Sequence, residues 1–268
     1  MITPRPPDWQ LPPGVTPGLW EYLHDHTLAQ QYLGKVSDSP FAHADRRFVE
    51  KHLRTPCKVI DLGCGPGRSL LPLYQRGFDC TGIDLSEHML DEARKLLAPL
   101  SPPGRGVRGE GAALAEDTSP TPQLLQANLG DPLPFSNHIF DAALCLFGTL
   151  GMLHPENVRQ NFIAEVKRIL KPTGKFLVHV HNRWPLQGMA SMFKLRSVVT
   201  LPVHQGISNL QMKLYTEREI RNTLNDAGLI VYDLEYIDAK HPQGQYIGSR
   251  WLAPFRAAGF LLAASPKP

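Results

Sequence analysis

An α/β fold, a largely parallel sheet with helices on both faces, is predicted by three observations. Apolar segments of strand length alternate with amphipathic segments of helix length along most of the chain. The run Val59-Ile60-Asp61-Leu62-Gly63-Cys64-Gly65-Pro66-Gly67 reads as a strand delivering the chain into a glycine-rich turn. A second apolar run, Gly82-Ile83-Asp84-Leu85-Ser86, ends on a carboxylate. This is the pattern by which such a sheet cradles a nucleoside-like ligand at its carboxyl edge. Glycines allow close approach because they carry no Cβ and tolerate positive φ. Asp84 stands where a carboxylate accepts hydrogen bonds from both hydroxyls of a ribose.

Residues 1–18 hold six prolines and little apolar content, so an unstructured arm is expected. Residues 19–53 are dense in apolar and aromatic side chains, among them Leu19, Trp20, Tyr22, Tyr32, Phe41 and Phe48, which predicts a helical cap ahead of the main domain, residues 54–268. In that domain strands are expected at 57–62, 79–84, 124–128, 140–147, 174–181, 229–237 and 258–265. Helices are expected at 67–76, 86–98, 155–170 and 216–227. Met89, Leu90, Ala93, Leu96 and Leu97 follow Ser86, an N-cap residue, at helical spacing. Phe162, Val166, Ile169 and Leu170 repeat the pattern behind Pro155, a favoured first helical residue. Thr216-x-x-Glu219 is a capping box, and Gly228 supplies the left-handed stop. Residues 99–123, rich in Pro, Gly and Ser, read as a flexible surface insertion. Residues 183–214 read either as a substrate lid or as packing on the sheet edge.

A dinucleotide fingerprint needs its third glycine at position 68, which is Arg68; the glycine comes one residue early, at Gly67. This G-x-G-x-G run behind Asp61 resembles motif I of the class I S-adenosylmethionine (SAM) methyltransferases. The resemblance extends over residues 55–265. Asn128-Leu129-Gly130-Asp131-Pro132-Leu133-Pro134-Phe135 and Phe140-Asp141 resemble the acidic, LPF and FD segments of that family. Leu170-Lys171-Pro172-Thr173-Gly174 and Ala227-Gly228-Leu229 are similar to its later motifs. The nearest group in pattern is the ubiquinone/menaquinone-methyltransferase-like, small-molecule branch. The resemblance implies a Rossmann-like seven-stranded sheet of order 3-2-1-4-5-7-6, its last strand antiparallel. It implies N-terminal helices over the active site and SAM as cofactor. Asp61, Gly63, Cys64, Gly65 and Gly67 would line the methionine end. Asp84 would hold the ribose, Leu85, Asn128 and Leu129 the adenine, and Cys145 to Phe147 would run beneath the methyl donor. Asn128 departs from the family's Asp at the end of the third strand.

Net charge is +3 and no basic run stands out, so no nucleic-acid partner is expected. The cysteines at 57, 64, 80 and 145 lie in or beside predicted core strands and read as reduced thiols. No apolar h-region opens the chain and no stretch of 18 apolar residues spans a membrane, so a cytoplasmic protein is expected. The oligomeric state stays open between a monomer and a weak dimer.

Methyl transfer from a sulfonium needs a donor and nucleophile held in line with water excluded, and a base only where the nucleophile must lose a proton. His181 and Asn182, at the carboxyl end of the fifth strand, are the catalytic candidates. Their competing reading is a backbone-satisfied histidine and a strand-end amide. His179-x-His181 lacks the acidic partners of a metal site, and no metal is expected. Arg183 reads as a partner for an anionic substrate or as a solvated strand-end charge. Tyr22, His24, His26 and Tyr32 are placed to reach the pocket from the cap or to pack within it. The functional expectation is transfer of a methyl group from SAM to a small molecule. The alternatives are a protein or RNA acceptor, or a SAM-binding regulatory protein without catalysis. Cys145-Leu146-Phe147-Gly148 lacks the Asn/Asp-Pro-Pro-Tyr/Phe tetrapeptide of base-amino methyltransferases and the Pro-Cys of cytosine-C5 enzymes.

Overall fold

The computed structural model describes residues 6–98, 121–184, 197–201, 207 and 209–267. A short 3-10 helix at Asp8–Gln10 is followed by three α-helices: α1 (Pro17–His24), α2 (His26–Val36) and α3 (Pro40–His52). Each begins on a side-chain cap, from Thr16, Asp25 and Ser39 respectively. The sheet follows as β1 (Lys58–Leu62), β2 (Asp79–Asp84), β3 (Gln123–Gln126), β4 (Phe140–Cys145), β5 (Leu170–His181), β8 (Leu229–Ile237) and β9 (Gly259–Pro266). Two further strands, β6 (Val198–Leu201) and β7 (Leu210–Lys213), pair antiparallel in a small second sheet. The intervening helices are α4 (Leu70–Tyr74), α5 (Glu87–Leu97), α6 (Thr149–Met152), α7 (Glu156–Ile169), α8 (Glu217–Asp226) and α9 (Ala253–Arg256).

The main sheet has the order β3-β2-β1-β4-β5-β9-β8. Counted along this sheet alone, that is the expected 3-2-1-4-5-7-6. β1 to β5 pair in parallel, and β9 is antiparallel to both its neighbours. Strand alternation sends successive side chains to opposite faces. Ile60, Phe176 and Val178 thus pack with Phe162, Ile163 and Val166 of α7, while Val59 and Leu177 pack with Phe48 of α3 and Leu70 of α4. The predicted caps are present: Ser86 Oγ accepts from Met89 N at 3.4 Å, and Thr216 and Glu219 form the capping box ahead of α8.

Several expected boundaries move for local reasons. The helix expected at 67–76 is confined to Leu70–Tyr74, because Gly67 has φ +85° and holds the chain out of the right-handed helix. β4 stops at Cys145, since Phe147 and Gly148 both have positive φ (56° and 83°) and turn the chain away. β3 ends at Gln126, short of Asn128, whose Oδ1 accepts from Gly130 N at 3.0 Å in a local turn.

The described part of the N-terminal arm is built into the fold, which corrects the expectation of an unstructured segment there. Gly14 bridges to His154, Val15 is buried, and Pro13 O accepts from Asn128 Nδ2 at 2.9 Å. A Cβ on Gly130 would lie 2.1 Å from Pro13 O. We therefore expect Gly130→Ala to lift this segment and cost about 1–3 kcal/mol, as overpacking does. The checks are the urea midpoint and faster proteolysis ahead of Thr16.

The insertion at 99–123 lies almost wholly outside the described residues. So does much of 183–214. Its described part forms β6 and β7, with Ile207 and Leu210 packed against Leu19, Tyr22 and Met89.

Candidate cofactor and methyl-transfer site

The glycine turn is fastened to β2 by two hydrogen bonds: Gly63 N and Cys64 N both donate to Ile83 O, at 2.8 and 2.9 Å. The Asp84 carboxylate completes the clasp. Its Oδ2 accepts from Gly65 N at 2.8 Å and its Oδ1 from Ser86 N at 2.8 Å. Burial pushes the Asp84 pKa up, offset in part by N–H donors from Ser86, Gly65 and Leu85. The three glycines do different work. A Cβ on Gly63 would meet Thr149 Cγ2 at 2.5 Å. Gly67 packs against Ala93 of α5, where a Cβ would touch Ala93 Cβ at 3.4 Å. Gly65, with φ +52°, has nothing within 4 Å of the Cβ position: that space is open.

The open space is a cleft at the carboxyl edge, with roughly 910 Å³ of empty volume including open solvent at its mouth. Asp61, Gly63, Cys64, Gly65, Asp84 and Leu85 line it, as do Asn128 and Leu129. Asp61 is 2% exposed, and its pKa is raised to about 7. Burial is the main cause; Arg68 pulls the value down, and Asp84 and Asp45 push it up.

Other expected site residues stand elsewhere. Gly67 does not line the cleft and serves helix packing. Cys145 is fully buried in the core beside Val178, its pKa pushed up by burial; the next two residues, Leu146 and Phe147, face the cleft instead. Asn128 lines the cleft, yet its carboxamide is committed, with Nδ2 donating to Pro13 O and to Asp131 Oδ2 and Oδ1 accepting from Gly130 N. The side-chain pairing with adenine expected for it has no amide donor left. Asn182 is fully buried and donates to the carbonyls of Pro254 and Ala257 while accepting from Trp184 N. These bonds brace the sheet edge, and Asn182 does not line the cleft. Arg183 is neither solvated nor open to a ligand: it is buried in an ion pair with Glu219. His181 lies outside the cleft lining, against Phe41 and His179. The Gly148 backbone crosses its imidazole so closely that a Cβ there would meet Nε2 at 2.7 Å.

The structure adds residues that motif reading did not assign. Tyr22 and Tyr32 line the cleft from α1 and α2. Burial raises both phenols, so each stays protonated at neutral pH. Ser86 Oγ donates to Leu23 O, which ties α1 to the end of β2. Of the other cap candidates, His24 stacks on Trp20 and His26 reaches Gln30 on its own helix. Arg68 is the one cation among the described residues that line the cleft. Among the described residues no group of three His, Cys, Asp or Glu side chains is placed to hold a metal ion.

A glycine loop with room only where Gly65 lacks a side chain, a ribose-height carboxylate at the end of β2 and a charged, roofed cleft fit the adenosyl and amino-acid ends of SAM. Together with the sheet order they resemble the class I SAM-dependent methyltransferases. Residues 60–178, less than half of the chain, match the family model described as a methyltransferase domain. It is 28% identical to the putative methyltransferase YqeM of Bacillus subtilis over 163 residues, 59% of this chain and 58% of that protein. It is 30% identical to the ubiquinone/menaquinone biosynthesis C-methyltransferase UbiE of Roseobacter denitrificans over 149 residues, 54% of this chain and 50% of that one. The chain thus spans between half and three-fifths of these relatives. In fold it is similar to the 1,6-didemethyltoxoflavin-N1-methyltransferase of Burkholderia thailandensis, with a TM-score of 0.61 and 17% identity, covering 96% of this chain and 93% of that one.

Proposed function

We propose that the chain transfers a methyl group from SAM to a small-molecule acceptor by in-line displacement in this cleft. The observation that carries the reading is the roof. Leu19, Tyr22, Leu23 and Tyr32 of α1 and α2 close over the glycine loop, so an acceptor shares a covered slot with the donor. A slot of that form admits a small molecule more readily than a folded macromolecule, and it excludes water from the line of transfer. The Burkholderia thailandensis neighbour, whose structure holds its small substrate and S-adenosylhomocysteine, supports the same reading.

SAM, when bound, supplies a methyl group already activated on a sulfonium. The chain's own part is to hold and to shield. Asp84 would receive the ribose hydroxyls, and Asp61 would face the amino-acid end. Leu146 and Phe147, where β4 turns out of the sheet, form the floor beside which the acceptor lies. The neutral Tyr22–Tyr32 pair offers donors, not a base, so the acceptor's nucleophile loses its proton to solvent or is lone-pair ready. A cytoplasmic setting belongs to this reading, supported by four cysteines that are free thiols. Among the described residues no helix is long and apolar enough to cross a membrane.

The test is incubation with methyl-deuterated SAM and a fractionated cell extract, with the label followed by mass spectrometry. Label in the metabolite fraction is expected and gives the acceptor's mass. Label in protein or RNA would replace the acceptor class. SAM binding without any transfer would leave a regulatory SAM-binding protein.

A further inference from the structure

The segment between β8 and β9, residues 238–258, stands on the carboxyl edge of the sheet, because β9 starts at Gly259, opposite His181 at the end of β5. Its first half is fastened to α3. Arg47 Nη1 donates to Gln243 O at 2.7 Å, and a Cβ on Gly244 would lie 2.0 Å from Pro40 O. Its second half folds into a turn that runs through α9. Asn182 holds this turn, donating to Pro254 O and Ala257 O, both at 2.8 Å. The turn is built inside out. Ala253 and Ala257 are fully buried, whereas Ile247 is 74%, Trp251 90% and Phe255 59% exposed, with Leu252 exposed beside them. Burying small side chains and presenting large apolar ones forfeits burial energy within the chain, and such a patch marks an interaction surface.

Charge decides what covers it. From residue 239 to residue 268 the chain holds no Asp or Glu. Arg250 and Arg256 flank the aromatic pair, both exposed, and among the described residues neither forms an ion pair. Glu217 of α8 is already taken, by Tyr236 Oη at 2.7 Å and Arg221 Nε at 2.8 Å. Large rings flanked by guanidinium groups suit the interface of an anionic bilayer. There the rings enter the boundary between headgroups and acyl chains while the cations meet lipid phosphates. A second copy of this chain suits the patch poorly, since a two-fold contact through it would set Arg250 and Arg256 against their own counterparts. We propose that the turn at 247–256 docks on the surface of an anionic lipid bilayer, with the carboxyl edge and its cleft turned towards the lipid. The chain then lies on the membrane and does not span it. This goes beyond the methyl-transfer reading and stands without it.

Co-sedimentation of the full chain with vesicles tests the docking, using phosphatidylcholine alone and an equimolar mixture of phosphatidylcholine and phosphatidylglycerol. Binding to the anionic vesicles is expected to exceed binding to the neutral ones about tenfold or more, and to weaken as salt rises. Trp251→Ser combined with Phe255→Ser keeps every charge and is expected to weaken anionic-vesicle binding about tenfold or more. Arg250→Gln combined with Arg256→Gln should remove most of the preference for anionic lipid. All four side chains are exposed, so the thermal midpoint should stay unchanged in both variants. Unimpaired binding by the Trp251, Phe255 variant would mean that overall charge attracts the vesicles, and it overturns the proposal. So does a lack of anionic-vesicle binding by the unsubstituted protein, a result that needs no variant to fold. Self-association without lipid, read by sedimentation velocity and abolished in the Trp251, Phe255 variant, would overturn it in favour of a second copy.

Discussion

Asp84→Ala is expected to weaken SAM binding by at least about 1–2 kcal/mol, roughly tenfold or more, and to lower the stability of the unliganded protein as well. Two losses combine. The ribose hydroxyls lose a charged acceptor, and the glycine loop loses its clasp, because Gly65 N and Ser86 N both donate to this carboxylate. Leaving such donors unpaired in a site where Asp84 is only 9% exposed costs about 1–3 kcal/mol. Asp84→Asn provides the control. Its amide oxygen still accepts one of the two N–H groups, but its NH₂ confronts the other, so an intermediate loss is expected. Calorimetry with S-adenosylhomocysteine and a urea melt read the two effects separately. Unchanged affinity in the alanine variant would remove Asp84 from the ligand site.

The glycine turn and the place of Asp84 at the end of β2 were legible in the sequence because both are set locally. A strand, a turn needing positive φ and a second strand fix the geometry within 24 residues, Asp61 to Asp84. The sheet order was legible only as what the family resemblance of the later motifs implies. What escaped depends on contacts distant in sequence. Asn182 has a site-like position at the end of β5, but the carbonyls that consume its amide belong to Pro254 and Ala257. Asn128 is taken by Pro13, from an arm whose prolines read as disorder. Asp45 and His179 are 134 positions apart, and neither sits in a motif. Cys145 could be placed only with the register in hand: Leu144 stands beside Asp61, so the next residue turns to the opposite face and packs in the core. Arg68 was visible only as the residue breaking the dinucleotide spacing. Its second meaning, as the cleft's cation, appears once α3 brings Asp45 against it.

The buried Asp61 makes the second large prediction, a pH dependence. Its pKa of about 7 means that below neutrality the unliganded cleft holds a proton there. The ammonium of SAM favours the carboxylate, so ligand and proton compete. Affinity is expected to be steady above about pH 7.5 and to fall below pH 7, approaching a factor of ten for each pH unit. The effect on the unliganded fold has the opposite sign. An unfolded chain releases this proton near pH 4 and the folded chain only near 7, so Asp61 contributes stability below pH 4 that is lost as pH rises through 7. That loss is on the order of a few kcal/mol, and bound SAM offsets it. The thermal shift produced by SAM should therefore grow between pH 5.5 and about 7.5, and calorimetry at pH 6 in buffers of different ionisation enthalpy should report proton release. Asp61→Asn should bind SAM weakly at every pH and show neither trend. A pH-independent affinity in the unsubstituted protein would mean that Asp61 carries its charge before the ligand arrives, with Arg68 outweighing burial.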